Sequence, residues 1–87
     1  MSGLIYYVYI LKSLKNNRYY VGSTSNLKRR LVEHNSGMTK GNRYYGPFEL
    51  VYQEEYQSLL EARRRELYIK AQKSRNFIES LIYRGVA

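Results

Sequence analysis

The segment LIYYVYILKSLKNNRYYVGS, residues 4–23, constrains the fold most. Two runs of tyrosine, β-branched and aliphatic residues flank a short polar stretch, and such runs form strands because broad or branched side chains fit a pleated surface. Asn tolerates the positive φ of tight turns, so a hairpin turning at Asn16-Asn17 is expected, with the first strand over residues 4–12. A two-residue turn would set Lys15 opposite Arg18. Alternation then puts Tyr7, Tyr9, Leu11 and Tyr20 on one face, and Tyr6, Val8, Tyr19 and Val21 on the other. The first strand has apolar or aromatic residues on both faces and reads as covered on both.

The second strand leads into NLKRRLVEHNSG, residues 26–37. Asn26 is a good N-cap and Gly37 a good stop, so the segment between them predicts a helix. At ~100° per residue, Leu27, Arg30, Leu31 and His34 fall on one stripe, while Lys28, Arg29 and Glu33 point elsewhere. Arg30 and His34 thus border the core. That position fits a snorkelling arginine beside a satisfied histidine as well as it fits a functional pair.

Downstream, the Gly-rich stretch SGMTKGNRYYGP at 36–47 reads as a loop whose Lys40 and Arg43 can drape over a phosphate backbone. FELVYQEEY predicts a third strand alternating through Phe48, Leu50 and Tyr52. A second helix runs from Ser58 to about Lys73, with Ser58 and Glu61 spaced as a capping box. Leu59, Leu60, Ala62, Leu67 and Ile69 define its apolar arc, and Glu66 falls inside that arc. A carboxylate there is costly unless it is paired or holds a metal ion, and Arg63 and Lys70 stand where they can neutralise it. A third, short helix carries Phe77, Ile78, Leu81 and Ile82. The elements run β-β-α-β-α-α, an α+β, sandwich-like domain expected to span residues 1–87.

Composition narrows the chemistry. Fifteen Lys and Arg against seven acids give a net charge of +8, which favours a polyanionic partner, nucleic acid before an anionic membrane. All seven acids are Glu, so clustered-Asp two-metal sites are excluded. With no Cys and His34 as the one histidine, thiol catalysis, disulfides and His-rich metal sites are excluded too. The N-terminus lacks the pattern of a signal peptide and no apolar run reaches membrane-spanning length, so a cytoplasmic, membrane-free protein is expected. Eleven tyrosines without tryptophan supply packing or a stacking surface for bases.

YVYIL at 7–11, YYVG at 19–22, NLKRRLVEH at 26–34 and EARRRELYIK at 61–70 together resemble, in order and spacing, the successive motifs of the GIY-YIG nuclease superfamily. The likeness spans residues 5 to 83. It is greatest to the small single-domain bacterial branch, which is similar to the N-terminal nuclease domain of the excision-repair incision subunit. Tyr9 matches the tyrosine that closes the first motif, here Tyr-Val-Tyr. Tyr20 and Gly22 match the second motif, Arg30 the catalytic arginine, His34 a His-or-Tyr position and Glu66 the metal-binding glutamate. Ser23 stands where some repair-type members carry a lysine near the phosphate, a contact for which Lys40 or Arg43 could substitute. Asn76 lies near, at shorter spacing, a polar Asn used by some members.

The resemblance implies a three-stranded antiparallel sheet flanked by helices, and metal-assisted hydrolysis of nucleic-acid phosphodiesters in DNA repair or recombination. Glu66 would hold Mg²⁺ or Mn²⁺, Arg30 would neutralise the phosphate and Tyr20 would serve as general base, with Tyr9 and His34 orienting water or phosphate. A phenol ionises near pH ~10 in water, so a tyrosine base needs a neighbouring cation or a metal-bound water. The substrate is expected to be DNA rather than RNA, with targeting left to a protein partner in the absence of accessory domains. Two other classes fit the same residues. One is a nucleic-acid-binding module that cleaves little, and the other is an interaction domain whose arginine-rich helix docks an acidic partner.

Overall fold

Both tyrosine-rich runs become strands of one antiparallel sheet. A computed structural model describes residues 4–36 and 45–84. Its elements are β1 (Tyr6–Ser13), β2 (Tyr19–Thr24), α1 (Leu27–Asn35), β3 (Phe48–Tyr56), α2 (Leu59–Ala71) and α3 (Arg75–Arg84). The sheet order is β2-β1-β3, so β1 is central and its Val8, Tyr9, Ile10 and Leu11 are buried from both sides. Leu4 and Ile5, expected in the strand, precede it and are exposed.

The hairpin turn is longer than the two residues expected. The Ser13 N–H donates to the Arg18 carbonyl at 2.9 Å, and Lys12 pairs with Tyr19 rather than with a residue further along. The buried Ser13 hydroxyl explains the extra length, because it accepts from the N–H groups of Lys15 and Asn16, both at 3.1 Å, and satisfies donors that a tight turn would pair with the opposite strand. Asn17 takes the positive φ, 62°. The register moves by two residues, which preserves every face assignment, since side chains alternate with period two. Tyr9 and Leu11 pack with Tyr20 on one side, while Val8 and Ile10 pack with Tyr6, Tyr19 and Val21 on the other.

Third-strand alternation is interrupted. Leu11 pairs with Leu50 and Ile10 with Tyr52, leaving Val51 as the additional residue of a bulge. Phe48 and Leu50 therefore join the α1 side, whereas Tyr52 joins Val8 and Ile10 on the α2 side. The expected common face of Phe48, Leu50 and Tyr52 does not form.

Helix α1 lays Leu27 and Leu31 on one face of the sheet. Helices α2 and α3 cover the opposite face through Ala62, Ile69 and Leu81, with Phe77 and Ile78 alongside. The α2 arc is narrower than expected, because Leu59, Leu60 and Leu67 are exposed and only Ala62 and Ile69 are buried. Ser58 caps the helix by accepting from the Glu61 N–H at 3.1 Å. Among the described residues, no helix is long and apolar enough to cross a membrane.

Candidate active site

Tyr9 is where the α1 stripe meets the sheet. Its hydroxyl lies 3.1 Å from His34 Nε2 and accepts from Arg30 Nε at 3.4 Å. One turn of helix separates the two partners, so both reach the same phenol. His34 is 5% exposed and stands edge-on to Tyr9 and to Phe48, with ring centroids 5.9 Å and 5.8 Å away. With Arg30 on one lone pair, Tyr9 donates to Nε2 when the imidazole hydrogen sits on Nδ1. Glu33, expected to point away from the stripe, instead accepts from Arg30 Nη1 at 3.0 Å, because i,i+3 neighbours meet on a helix surface. The Tyr9 hydroxyl first, and then Glu33, hold the Arg30 guanidinium still more firmly protonated than usual. Arg29 is capped by the same carboxylate at 3.6 Å, yet its side chain is 63% exposed, against 37% for Arg30.

Gly22 faces Tyr9 across the β1–β2 ladder. A methyl group in place of its hydrogen would stand 2.6 Å from Tyr9 Cζ and 3.1 Å from Cε2, closer than carbon atoms approach. The glycine gives the buried phenol room to lie across the strand toward Arg30. Tyr20, two residues earlier on the same face, is held edge-on against Phe48 with ring centroids 5.4 Å apart. Among the described residues its hydroxyl bonds to no protein group.

Glu66 approaches from the other side of the sheet. Its Oε1 accepts from the Ser23 hydroxyl at 2.6 Å and its Oε2 from Lys70 Nζ at 2.6 Å. Its side chain is only 16% exposed, so the bland expectation of neutralisation within the helix holds for Lys70. Arg63 takes no part in that pair.

Because β2 is an edge strand, residues on its two faces converge at its outer rim. Tyr9, Tyr20, Gly22, Arg30 and His34 from the α1 side share one cleft of ≈ 600 Å³ with Ser23 and Glu66 from the α2 side. Arg63, Lys70 and Lys73 line its α2 wall. Every described residue of the expected constellation is thus brought together. Lys40 and Arg43 lie outside the described residues. Asn76 is exposed and does not line the cleft.

Sequence reasoning missed Glu33 as a partner of Arg30, and Ser23 as a partner of Glu66. Ser23 was findable, since alternation from Val21 places it on the face that α2 covers. The basic wall was not, since it depends on where the end of α2 comes to lie.

The donor set suits one hard divalent cation. Such an ion takes one or two carboxylates, with water and phosphate oxygens completing its shell. Glu66 is a single carboxylate oriented through Ser23 at the wall of an open cleft. Among the described residues no group of three or more His, Cys, Asp or Glu assembles, so an ion in this cleft would rest on Glu66.

Comparison with known proteins identifies the family. Residues 5–79 match the GIY-YIG catalytic domain, and the chain belongs to that nuclease-type family. It is similar to a UPF0213 protein of Clostridium perfringens, 48% identical over 65 residues covering 74% of this chain and 69% of the relative. It also resembles a UPF0213 protein of Staphylococcus haemolyticus, 47% identical over 68 residues covering 75% and 79%. The solution NMR structure of a UPF0213 protein from Bacillus halodurans superposes with a TM-score of 0.59 at 37% identity, covering 94% of this chain and 86% of that one.

Proposed function

We propose that the protein is a metal-dependent endonuclease that hydrolyses phosphodiester bonds, of DNA rather than RNA, in repair or recombination. The observation that carries this reading is the convergence of Tyr9, Tyr20, Arg30, His34 and Glu66 on one cleft from opposite faces of the sheet.

In this reading Arg30 receives the scissile phosphate. Its planar guanidinium matches two phosphate oxygens and is pre-oriented by Tyr9 and Glu33, so little ordering remains when charge builds on the phosphorus. Tyr20 acts as the general base: as its phenolate it takes the proton of the attacking water, directly or through a second water, and becomes the neutral phenol. Tyr9 and His34 orient the water or the phosphate, or relay the proton. Glu66 would hold Mg²⁺ or Mn²⁺, whose contribution is to neutralise charge developing on the leaving oxygen. Targeting falls to a protein partner.

The test is incubation of wild type and Glu66→Gln with branched, nicked, single-stranded and duplex DNA, in Mn²⁺ or Mg²⁺ and in chelator. We expect cleavage by wild type with metal and at least a hundredfold loss, on the order of the loss of one charge-stabilising group, in the variant. Salt-sensitive binding without cleavage in either protein would instead identify a binding module.

A further inference from the structure

Glu66 holds two partners of unequal permanence. Ser23 donates from a one-carbon side chain on strand β2, whereas Lys70 is a four-carbon side chain with half its surface in solvent, 49% against 16% for Glu66. The ammonium, 2.6 Å from Oε2, occupies a coordination direction of the carboxylate. It also lines the cleft beside Arg63 and Lys73, and among the described residues its ion pair is with Glu66 alone.

We infer that Lys70 is an exchangeable stand-in cation. It neutralises Glu66 until a divalent ion displaces it, and the released ammonium then binds a nucleic-acid phosphate in the same cleft. This inference rests on the reading of Glu66 as a metal ligand. The carboxylate is half-buried, so an uncompensated charge there would cost stability, and a flexible cation removes that cost without filling the site with rigid structure. Once displaced, Lys70 has no second acid partner among the described residues, and the cations lining the cleft favour a phosphate there. The two ligands are then coupled. Metal binding frees a cation for phosphate, and by linkage phosphate binding favours the metal.

The test measures Mn²⁺ binding from the spectrum of free Mn²⁺ for wild type, Lys70→Met, Arg63→Met and Glu66→Gln, and the affinity of each for a non-hydrolysable single-stranded oligodeoxynucleotide with and without Mn²⁺. Arg63→Met removes the same charge from the same wall without touching the Glu66 pair. Lys70→Met is expected to bind Mn²⁺ about two- to fivefold more tightly than wild type, the range set by removal of a partly exposed ion pair. Arg63→Met is expected to change Mn²⁺ affinity less, and Glu66→Gln to abolish binding. Lys70→Met should weaken oligonucleotide binding only when Mn²⁺ is present, whereas Arg63→Met should weaken it under both conditions.

Equal Mn²⁺ affinity of wild type and Lys70→Met, or equal gains for Lys70→Met and Arg63→Met, would overturn the exchange while leaving Glu66 as a ligand. Weaker oligonucleotide binding by Lys70→Met regardless of metal would overturn it as well. Unchanged Mn²⁺ binding by Glu66→Gln, or none by wild type, would overturn the exchange and the metal reading together.

Discussion

At the scale of single residues, the site depends on what Gly22 lacks. Tyr9 is 3% exposed and bonded to both Arg30 and His34, so its ring cannot yield to a new methyl group without breaking those contacts. Gly22→Ala is expected to destabilise the fold by about 1–3 kcal/mol, as overpacking does, and to reduce cleavage by disorganising Arg30. Urea unfolding and a cleavage assay check the two effects. Much of this constellation was legible in the sequence. The α1 stripe placed Arg30 and His34 against the core, and hairpin alternation placed Tyr9 and Tyr20 on one face. Glu33 and Ser23 were not assigned their partners, because a hydrogen bond depends on the rotamers and approach of two elements and not on the period of either.

At the scale of elements, α2 is fastened to β3 by a polar cluster on the sheet face away from Arg30. Glu54 accepts from Arg65 Nε and Nη2, at 3.0 Å and 3.1 Å, and from the hydroxyls of Tyr52 and Tyr56. Burial alone would raise the Glu54 pKa, but Arg65 and the two hydroxyls together outweigh it and hold the carboxyl below its ordinary 4.5. Burial first, and then Glu54, pushes both tyrosines up to about 12. The folded carboxyl titrates below the unfolded one, so its contribution is complete above 4.5 and is lost as pH falls through the depressed value. The tyrosines titrate above their unfolded value of 10, so their contribution is complete below 10 and is lost as pH rises toward 12. Thermal melts of wild type should fall away on both flanks. Glu54→Gln should lower stability by about 1–3 kcal/mol at neutral pH and flatten the acid flank. The Val51 bulge that turns Tyr52, Glu54 and Tyr56 to the α2 face, away from Phe48 and Leu50, was hidden from the sequence, since an extra residue in a ladder is defined only against its partner strand. The narrow α2 arc was hidden for a related reason. Helical period locates Leu59, Leu60 and Leu67, but coverage by neighbours decides which of them are buried.

At the scale of the whole molecule, a chain of net charge +8 lines one cleft with Arg30, Arg63, Lys70 and Lys73. Contacts from three or four of these cations predict that the logarithm of single-strand affinity falls against the logarithm of salt with a slope of about −2 to −3. A flat dependence in fluorescence anisotropy would remove nucleic acid as the ligand of this cleft. The fold itself was readable as β-β-α-β-α-α because each element carries its own period, and the sheet order completes it with β1 in the centre. That central position divides the labour of the chain. Residues up to 36 hold Tyr9, Tyr20, Arg30 and His34, and residues from 45 onward hold Glu66, the two parts meeting along the β1–β3 ladder. A chain severed between them would divide the cleft, Tyr9, Tyr20, Arg30 and His34 going with one fragment and Glu66 with the other. On the proposed function, cleavage would return only when the two fragments reassemble, so a half-synthesised chain cuts nothing.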